Sequence, residues 1–275
     1  MSPVLPLWLQ YTFVFIWGLI WGSFYNVCIY RIPNKISIVT PPSHCPICKH
    51  QLSWYDNIPI LSYLLLKAKC RYCNTHISLR YPLIEGISGV LNIIVYWKYP
   101  QIETFAIFSF FWGCMLVVTM IDWDEFIIPD LIMYPLIIIG LILLFFHQLP
   151  EVSIISGIAG IIIGGLLPYI IAITFEKIKK LEDPALGGGD IKLLALFGIF
   201  FGIKGVIAIL IIGSLLGIII GYPLVKLSGK KLEDEDIENK ELVYIPFGPF
   251  LILGALIVFI IGGDNIFYLI NNLWM

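Results

Sequence analysis

Charge is scarce in this chain. Asp, Glu, Lys and Arg together make up 13% of its 275 residues, about half the usage of an ordinary soluble domain. A water-facing surface of the usual kind therefore cannot cover most of the fold. Internal repeats and Pro-rich or low-complexity tracts are also lacking, which argues against a solenoid or a string of tethered modules. No basic residue precedes the first apolar run, since the first one is Arg31. That run is therefore expected to be retained and not to be a cleaved signal peptide. No G-x-G-x-x-G follows a strand pattern, so an ordinary dinucleotide-type fold is not expected. The formal net charge is −2, and no nucleic acid is expected as a partner.

What the chain has is apolar length. Hydrophobic residues make up 59% and the mean hydropathy is +0.92. A bilayer core of about 30 Å takes roughly 20 apolar residues as helix. Candidate spans fall at about 7–30, 81–97, 103–121, 131–147, 152–175, 187–203, 205–225 and 243–270. Many are joined by very short polar turns. The expectation is an all-α polytopic membrane protein of about eight transmembrane helices, with residues 1–275 as one domain. The single sizeable polar insertion, 32–80, lies between the first two helices.

Orientation follows from basic residues, which gather in cytoplasmic loops. Arg31, Lys35, Lys49, Lys67, Lys69, Arg71 and Arg80 place the 32–80 loop in the cytoplasm. Eight spans then bring Lys177, Lys179 and Lys180 inside, with Lys192 close to that side and Lys226, Lys230, Lys231 and Lys240 inside too. Lys98 and Lys204 are left outside. A re-entrant 187–203 would move the four lysines at 226–240 outside, so a true span is expected there. The acidic run "LEDEDIENKE" (232–241) shares that last loop and reads as a solvated face.

The 32–80 loop carries a C-x-x-C at Cys45 and Cys48 and a second at Cys70 and Cys73. That spacing is close to the paired-knuckle zinc pattern. Four thiolates at about 2.3 Å close a tetrahedral shell, which leaves no open position for substrate and makes a bound zinc structural. The competing reading is two disulfides or idle thiols, and a cytosolic setting argues against disulfides. A loop this polar has a small core, and metal binding would supply folding energy. His44, His50 and His76 lie nearby and read as surface histidines. Cys28 and Cys114 fall inside apolar spans and read as small buried hydrophobes.

Two aspartates stand out against so few charges. Asp122, in "MIDWDEFIIPDLI" (120–132), ends one apolar stretch, and Asp190, in "LGGGDIK" (186–192), opens another. With eight spans both lie at cytoplasmic helix ends. An aspartate in a span costs roughly 2.5–3.5 kcal/mol at mid-membrane and less near the boundary, which makes it a functional hypothesis by default. Three glycines cost about 1 kcal/mol each against alanine in a helix. In return they permit close approach of a substrate strand or a neighbouring helix. Facing carboxylates can share one proton, so that one activates water and the other protonates the carbonyl oxygen or the leaving amine. The competing reading is helix capping, for which Asp190 is well placed. Capping or solvation suffices for Asp124, Glu125, Asp130 and Asp183.

The segments "GSFYNVCIYRIP" (22–33), "WYDNIPILSYLLL" (54–66), "CRYCNTHISLRYPLIE" (70–85), "IDWDEFIIPD" (121–130), "GGGDIKLLALFG" (187–198) and "IPFGPFLILGA" (245–255) together resemble the bacterial type IV prepilin peptidases. The similarity runs from about residue 18 to 256. It implies a polytopic aspartic protease of the GxGD class in the bacterial cytoplasmic (inner) membrane, with its active site on the cytoplasmic side. Its substrates would be type IV prepilins or type II secretion pseudopilins, whose short basic leader it removes. Many members also N-methylate the new N-terminus with S-adenosylmethionine. The family's first catalytic aspartate, eight residues before the end of "IPD", is here Asp122, and the aspartate of GxGD is Asp190. The tetracysteine loop matches members that carry one. Asn26, Arg31, Arg80 and Glu85 stand in or beside these motifs, and pairing between spans explains them as readily as a site does. Two other classes stay open: a proton-coupled transporter using paired membrane carboxylates, which predicts acids near the bilayer midplane, and a non-enzymatic pilus assembly protein docking through its zinc loop.

Overall fold

A computed structural model describes residues 5–179, 186–221, 223–224 and 246–266. Among them the fold is helical, with two isolated β-bridges in the cysteine loop. Among the described residues, besides a short 3₁₀ turn (Trp54–Asn57) and a short helix (Leu61–Leu65) in the loop, seven longer helical runs carry the chain: α1 (Leu7–Arg31), α2 (Arg80–Lys98), α3 (Ile102–Glu125), α4 (Asp130–Phe145), α5 (Ile154–Ile161, a π-helical turn Ile162–Leu166, then Leu167–Lys179), α6 (Gly188–Leu216) and α7 (Gly248–Ile261). Four stretches among the described residues are long and apolar enough to cross a membrane: Leu7–Arg31, Ile102–Glu125, Ile154–Ile178 and Gly188–Gly221. At 1.5 Å per residue, a 25-residue helix such as α1 reaches about 37 Å, more than the hydrocarbon core. α4 and α7 are shorter apolar helices among the described residues. The expected spans 187–203 and 205–225 form one helical run that breaks at Gly202, where φ is 67° and ψ −173°. A side chain would be strained there, and glycine is not. Lys180, Asp183, Lys226, Lys230, Lys231, Lys240 and the acidic run 232–241 lie outside the described residues.

The chain divides into two compact units, residues 1–121 and 122–275. In the first, α1 packs along α2. In lipid, helix association depends on close contact and hydrogen bonds, because the surrounding tails are as apolar as the helix faces. Gly18 and Gly22 supply the closeness. A Cβ at either position would come 2.7 Å from α2 backbone, at Gly89 and Glu85 respectively. Glu85, Ser88 and Asn92 lie buried on α2 at helical spacing, and their polar groups are used. Ser88 Oγ donates to the Gly18 carbonyl at 2.7 Å, and Asn92 Nδ2 donates to the Ser88 carbonyl at 2.9 Å. Ser109 Oγ donates in turn to Asn92 Oδ1.

In the second unit α5 crosses α6 through the same kind of contact. A Cβ on Gly160 would lie 2.5 Å from the Gly198 carbonyl. α6 is the central element. Leu193, Leu196, Phe197, Val206, Ala208 and Ile209 on it are fully buried, and α4, α5 and α7 all pack against it.

Replacing Gly18 by leucine should cost about 1–3 kcal/mol, the range for overpacking a tight contact. Gly86→Ala should be tolerated, since its nearest neighbour to a new Cβ is 4.0 Å away. Unfolding midpoints of the two variants in detergent would test the contrast.

Candidate active site

α3 ends just after Asp122. Its last turn closes with the Phe126 amide donating to the Asp122 carbonyl at 3.0 Å, and Phe126 takes a left-handed φ of 56°. The chain then turns through Ile127 and Ile128 to Pro129, whose extended backbone (ψ 125°) precedes the first residue of α4, Asp130. Asp122 is buried, at 5% exposure.

Asp190 belongs to the first turn of α6, whose N-cap residue is Gly187. The Gly187 carbonyl accepts from the Asp190 and Ile191 amides at 3.1 and 3.3 Å. Asp190 is thus the third residue of the helix, and the expectation that it could serve as the N-cap is not met. A carboxylate in this turn is still favoured by the amide dipoles. The three glycines have separate reasons. A Cβ on Gly187 would lie 2.9 Å from Asp190 Oδ2, and one on Gly189 would lie 2.8 Å from Ile128 Cβ. Gly188 faces open space, with no atom within 4 Å of such a Cβ. The room expected for an approaching partner is therefore taken at two glycines by the chain's own side chains, and it is free at the third.

The two aspartates, far apart in sequence, line one cavity of about 510 Å³ with Phe126, Ile127, Ile128, Asp130, Gly187–Gly189 and Lys192. Asp122 faces the start of α7: the Gly248 amide hydrogen-bonds its carboxylate, and a Cβ on Gly248 would come 2.5 Å from Oδ2. That Oδ2 has no hydrogen-bond partner among the described residues. Asp130, read from sequence as a cap or solvated, forms an ion pair with Lys192 Nζ. The same ammonium sits 5.0 Å above the Tyr134 ring. Sequence reasoning missed Gly248, Ile128 and the Asp130–Lys192 pair as parts of this site. Only their motifs were visible, because the contacts join segments that are remote along the chain.

The tetracysteine loop belongs to the first unit, and its knuckles repeat one geometry. Cys45 N–H donates to the His50 carbonyl and Lys49 N–H to the Cys45 carbonyl. Cys70 N–H and Asn74 N–H make the matching bonds to Thr75 and Cys70. Lys49 and Asn74 both take a φ of 58°. All four thiols are free, and their Sγ atoms lie within 4.8 Å of one another. Cys45 and Cys73 Sγ are 3.8 Å apart; a tetrahedron with 2.3 Å Zn–S bonds has edges of about 3.8 Å. The Thr75 side chain and amide hold the Cys73 thiol down at about 6, toward the thiolate that binds metal. At Cys48 the His50 amide is outweighed by desolvation and by the neighbouring Cys45 and Cys73, which push that thiol up to about 11. The donor set and its spacing fit zinc. His50 is stacked on Tyr72 at 3.6 Å and His44 contacts the Pro42 carbonyl, so both rings are engaged elsewhere.

The polar residues near the motifs tie this loop to its helices. Asn26 Nδ2 donates to the Tyr81 carbonyl at 3.1 Å, Arg31 to the Ser37 carbonyl at 2.9 Å, and the Ile60 amide to Glu85 Oε2 at 2.7 Å. Pairing therefore accounts for Asn26, Arg31 and Glu85.

Comparison with known proteins adds to this geometry. Residues 16–99 match the Bacterial Peptidase A24 N-terminal domain and residues 109–222 the Type IV leader peptidase family. Relatives that carry the name prepilin leader peptidase/N-methyltransferase include proteins from three bacteria. The protein from Vibrio cholerae is 30% identical, with 91% of this chain and 98% of the relative aligned. The Aeromonas salmonicida protein is 31% identical over 94% and 93%. The Myxococcus xanthus protein is 34% identical over 80% of this chain and 64% of its own. No solved structure matches. With these matches covering nearly its whole length, and with helices able to cross a membrane, the chain belongs to the type IV leader peptidase family of multi-pass bacterial membrane proteins.

Proposed function

We propose that Asp122 and Asp190 are the catalytic pair of an aspartic endopeptidase. It removes the basic leader from type IV prepilins or type II secretion pseudopilins, and it N-methylates the new N-terminus. The observation that carries this reading is the single cavity lined by both carboxylates. The names of the relatives supply the substrate class and the second activity. In the reaction, the ionised carboxylate takes a proton from water, and the resulting hydroxyl attacks the peptide carbonyl. The protonated partner donates to the carbonyl oxygen, and a proton then passes to the leaving amine as the C–N bond breaks. The methyl group comes from S-adenosylmethionine, which supplies it as an electrophile. A transporter reading is less favoured, because both aspartates stand at helix ends, not midway along their helices.

The eight expected spans, in one polytopic domain of residues 1–275, put both carboxylates at the cytoplasmic face of the inner membrane, where water reaches them without crossing hydrocarbon. Loop 32–80 is then a cytoplasmic insertion in which Cys45, Cys48, Cys70 and Cys73 hold a structural zinc. The scissile bond lies at the junction of basic leader and apolar helix, since a fully hydrogen-bonded helix backbone in lipid offers no exposed peptide to attack.

Asp122→Asn and Asp190→Asn should each lower prepilin cleavage by about 10²–10⁴-fold, the usual contribution of an acid–base group, in folded, inserted protein. Near-wild-type turnover of either variant in detergent would refute the assignment. The purified chain should hold about one zinc, as a closed Cys₄ site does. Cys45→Ser or Cys73→Ser should lower that content and open loop 32–80 to proteolysis. Protein purified without chelator and free of zinc by elemental analysis would contradict the metal site. Moving the cleavage sequence two helical turns, about 11 Å, into the apolar segment of a prepilin should block processing. Efficient cutting of that substrate, with its topology verified, would mean that the site is entered from within the bilayer.

A further inference from the structure

One apolar side chain lies against two glycines, one beside Asp190 and one facing Asp122. Ile128 lies in the turn between α3 and α4 and fills space that two glycines leave open. A Cβ on Gly189 would come 2.8 Å from Ile128 Cβ and 3.2 Å from its Cγ1, and Gly189 directly precedes Asp190. A Cβ on Gly248 would come 3.2 Å from Ile128 Cδ1 and 2.5 Å from Asp122 Oδ2. Ile128 thus sits between the segment that bears Asp190 and the segment that faces Asp122, and it lines the shared cavity. Two residues later Asp130 pairs with Lys192, itself two residues past Asp190. The Tyr134 ring, one turn along α4, receives the same ammonium. The turn is therefore clamped to the start of α6 by packing at Ile128 and by charge at Asp130.

We infer that Ile128 is a positioning residue whose volume sets the separation of Asp122 and Asp190, with the Asp130–Lys192 pair holding that wedge in place. The inference rests on the catalytic reading of the two aspartates. Repulsion between two carboxylates changes inversely with their distance, so the pH range over which they share a proton depends on the spacing. A misplacement of 1 Å can cost about 10²-fold in rate. Among the described residues, the titratable or charged groups around the cavity are Asp122 from α3, Asp130 and Tyr134 from α4, and Asp190 and Lys192 from α6. α7 contributes the uncharged Gly248.

The test is a set of size and relief variants assayed on a prepilin. Ile128→Ala should lower kcat about tenfold, leave KM close to wild type and displace the limbs of the pH–kcat profile. Ile128→Val, one methyl smaller, should shift the same quantities in the same direction by less. Gly189→Ala should be impaired alone, and Ile128→Gly should relieve it in the double variant, because it removes the Ile128 Cβ, Cγ1 and Cδ1 that a Cβ at 189 would meet at 2.8, 3.2 and 3.3 Å. Gly248→Ala should gain less relief, since its Cβ meets Asp122 Oδ2 at 2.5 Å and Ile128 only through Cδ1 at 3.2 Å. A filler of ordinary core would lower the unfolding midpoint while leaving the pH profile and the kcat/KM split unchanged. That pattern, or equal relief of Gly189→Ala and Gly248→Ala, would overturn the inference. Infrared titration of the carboxyl stretch, read as the difference between each background and its Asp122→Asn counterpart, should move in Ile128→Ala. An unmoved titration would also overturn it. This readout does not require turnover, so failure of the wild-type chain to cut prepilins would reject the endopeptidase reading while the wedge is still decided.

Discussion

Two ionised carboxylates in one cavity repel each other, and the described cation lining that cavity, Lys192, is paired with Asp130. In the proposed mechanism that repulsion is useful, because it keeps one proton on the pair and so provides an acid and a base together. It is useful only while the separation is held. In that proposed reading, several features of the second unit serve this need. Gly187 makes room for the Asp190 carboxylate and Gly248 for that of Asp122. The ion pair at the rim ties α4 to α6. The buried apolar face of α6 anchors the helix that carries Asp190. Gly187 caps its helix and Gly248 opens one, and each is placed where a methyl group would displace a carboxylate or the side chain beside it.

Much of the helical architecture was legible because it depends on run length and composition. Most apolar stretches became helices near the expected bounds, four of the described ones long enough to cross a membrane. The 243–270 stretch is described as a helix over Gly248–Ile261, and the boundary expected between 203 and 205 appears as the break at Gly202. The cysteine knuckles were legible for a related reason, since each is a local turn whose spacing sets its geometry. The candidate site was legible only in part. Asp122 and Asp190 announce themselves as acids in apolar surroundings. Ile128 carries no such signal, because an isoleucine beside an apolar span reads as ordinary core. Gly248 lies far along the chain from the aspartate it faces, and no periodicity connects the two. The triple glycine invited one explanation and has three, since Gly187, Gly188 and Gly189 meet a carboxylate, open space and a side chain in turn.

The first unit meets a different difficulty: a polar loop of nearly fifty residues must hold its shape on a pair of membrane helices. Its apolar core is meagre. Cys45 and Cys70 are buried, whereas Ile36, Ile38, Val39, Ile47, Trp54 and Leu65 are exposed. What it has is specific polar attachment. Asp56, its side chain 2% exposed, is held by Arg71 at 2.8 Å, and that guanidinium lies 5.1 Å over the Tyr55 ring. A buried ion pair of this kind contributes little net stability, because desolvation offsets much of the attraction, but it does specify which segments meet. Glu85 acts similarly from inside α2 by accepting the Ile60 amide at a residue whose φ is 58°. Polar attachments that define position without adding much free energy leave a deficit that four converging thiolates can fill. A metal bound to the folded loop and not to the unfolded chain adds its binding energy to folding. The attachments to α1 and α2 would decide where the loop sits, and the metal would decide whether it is folded.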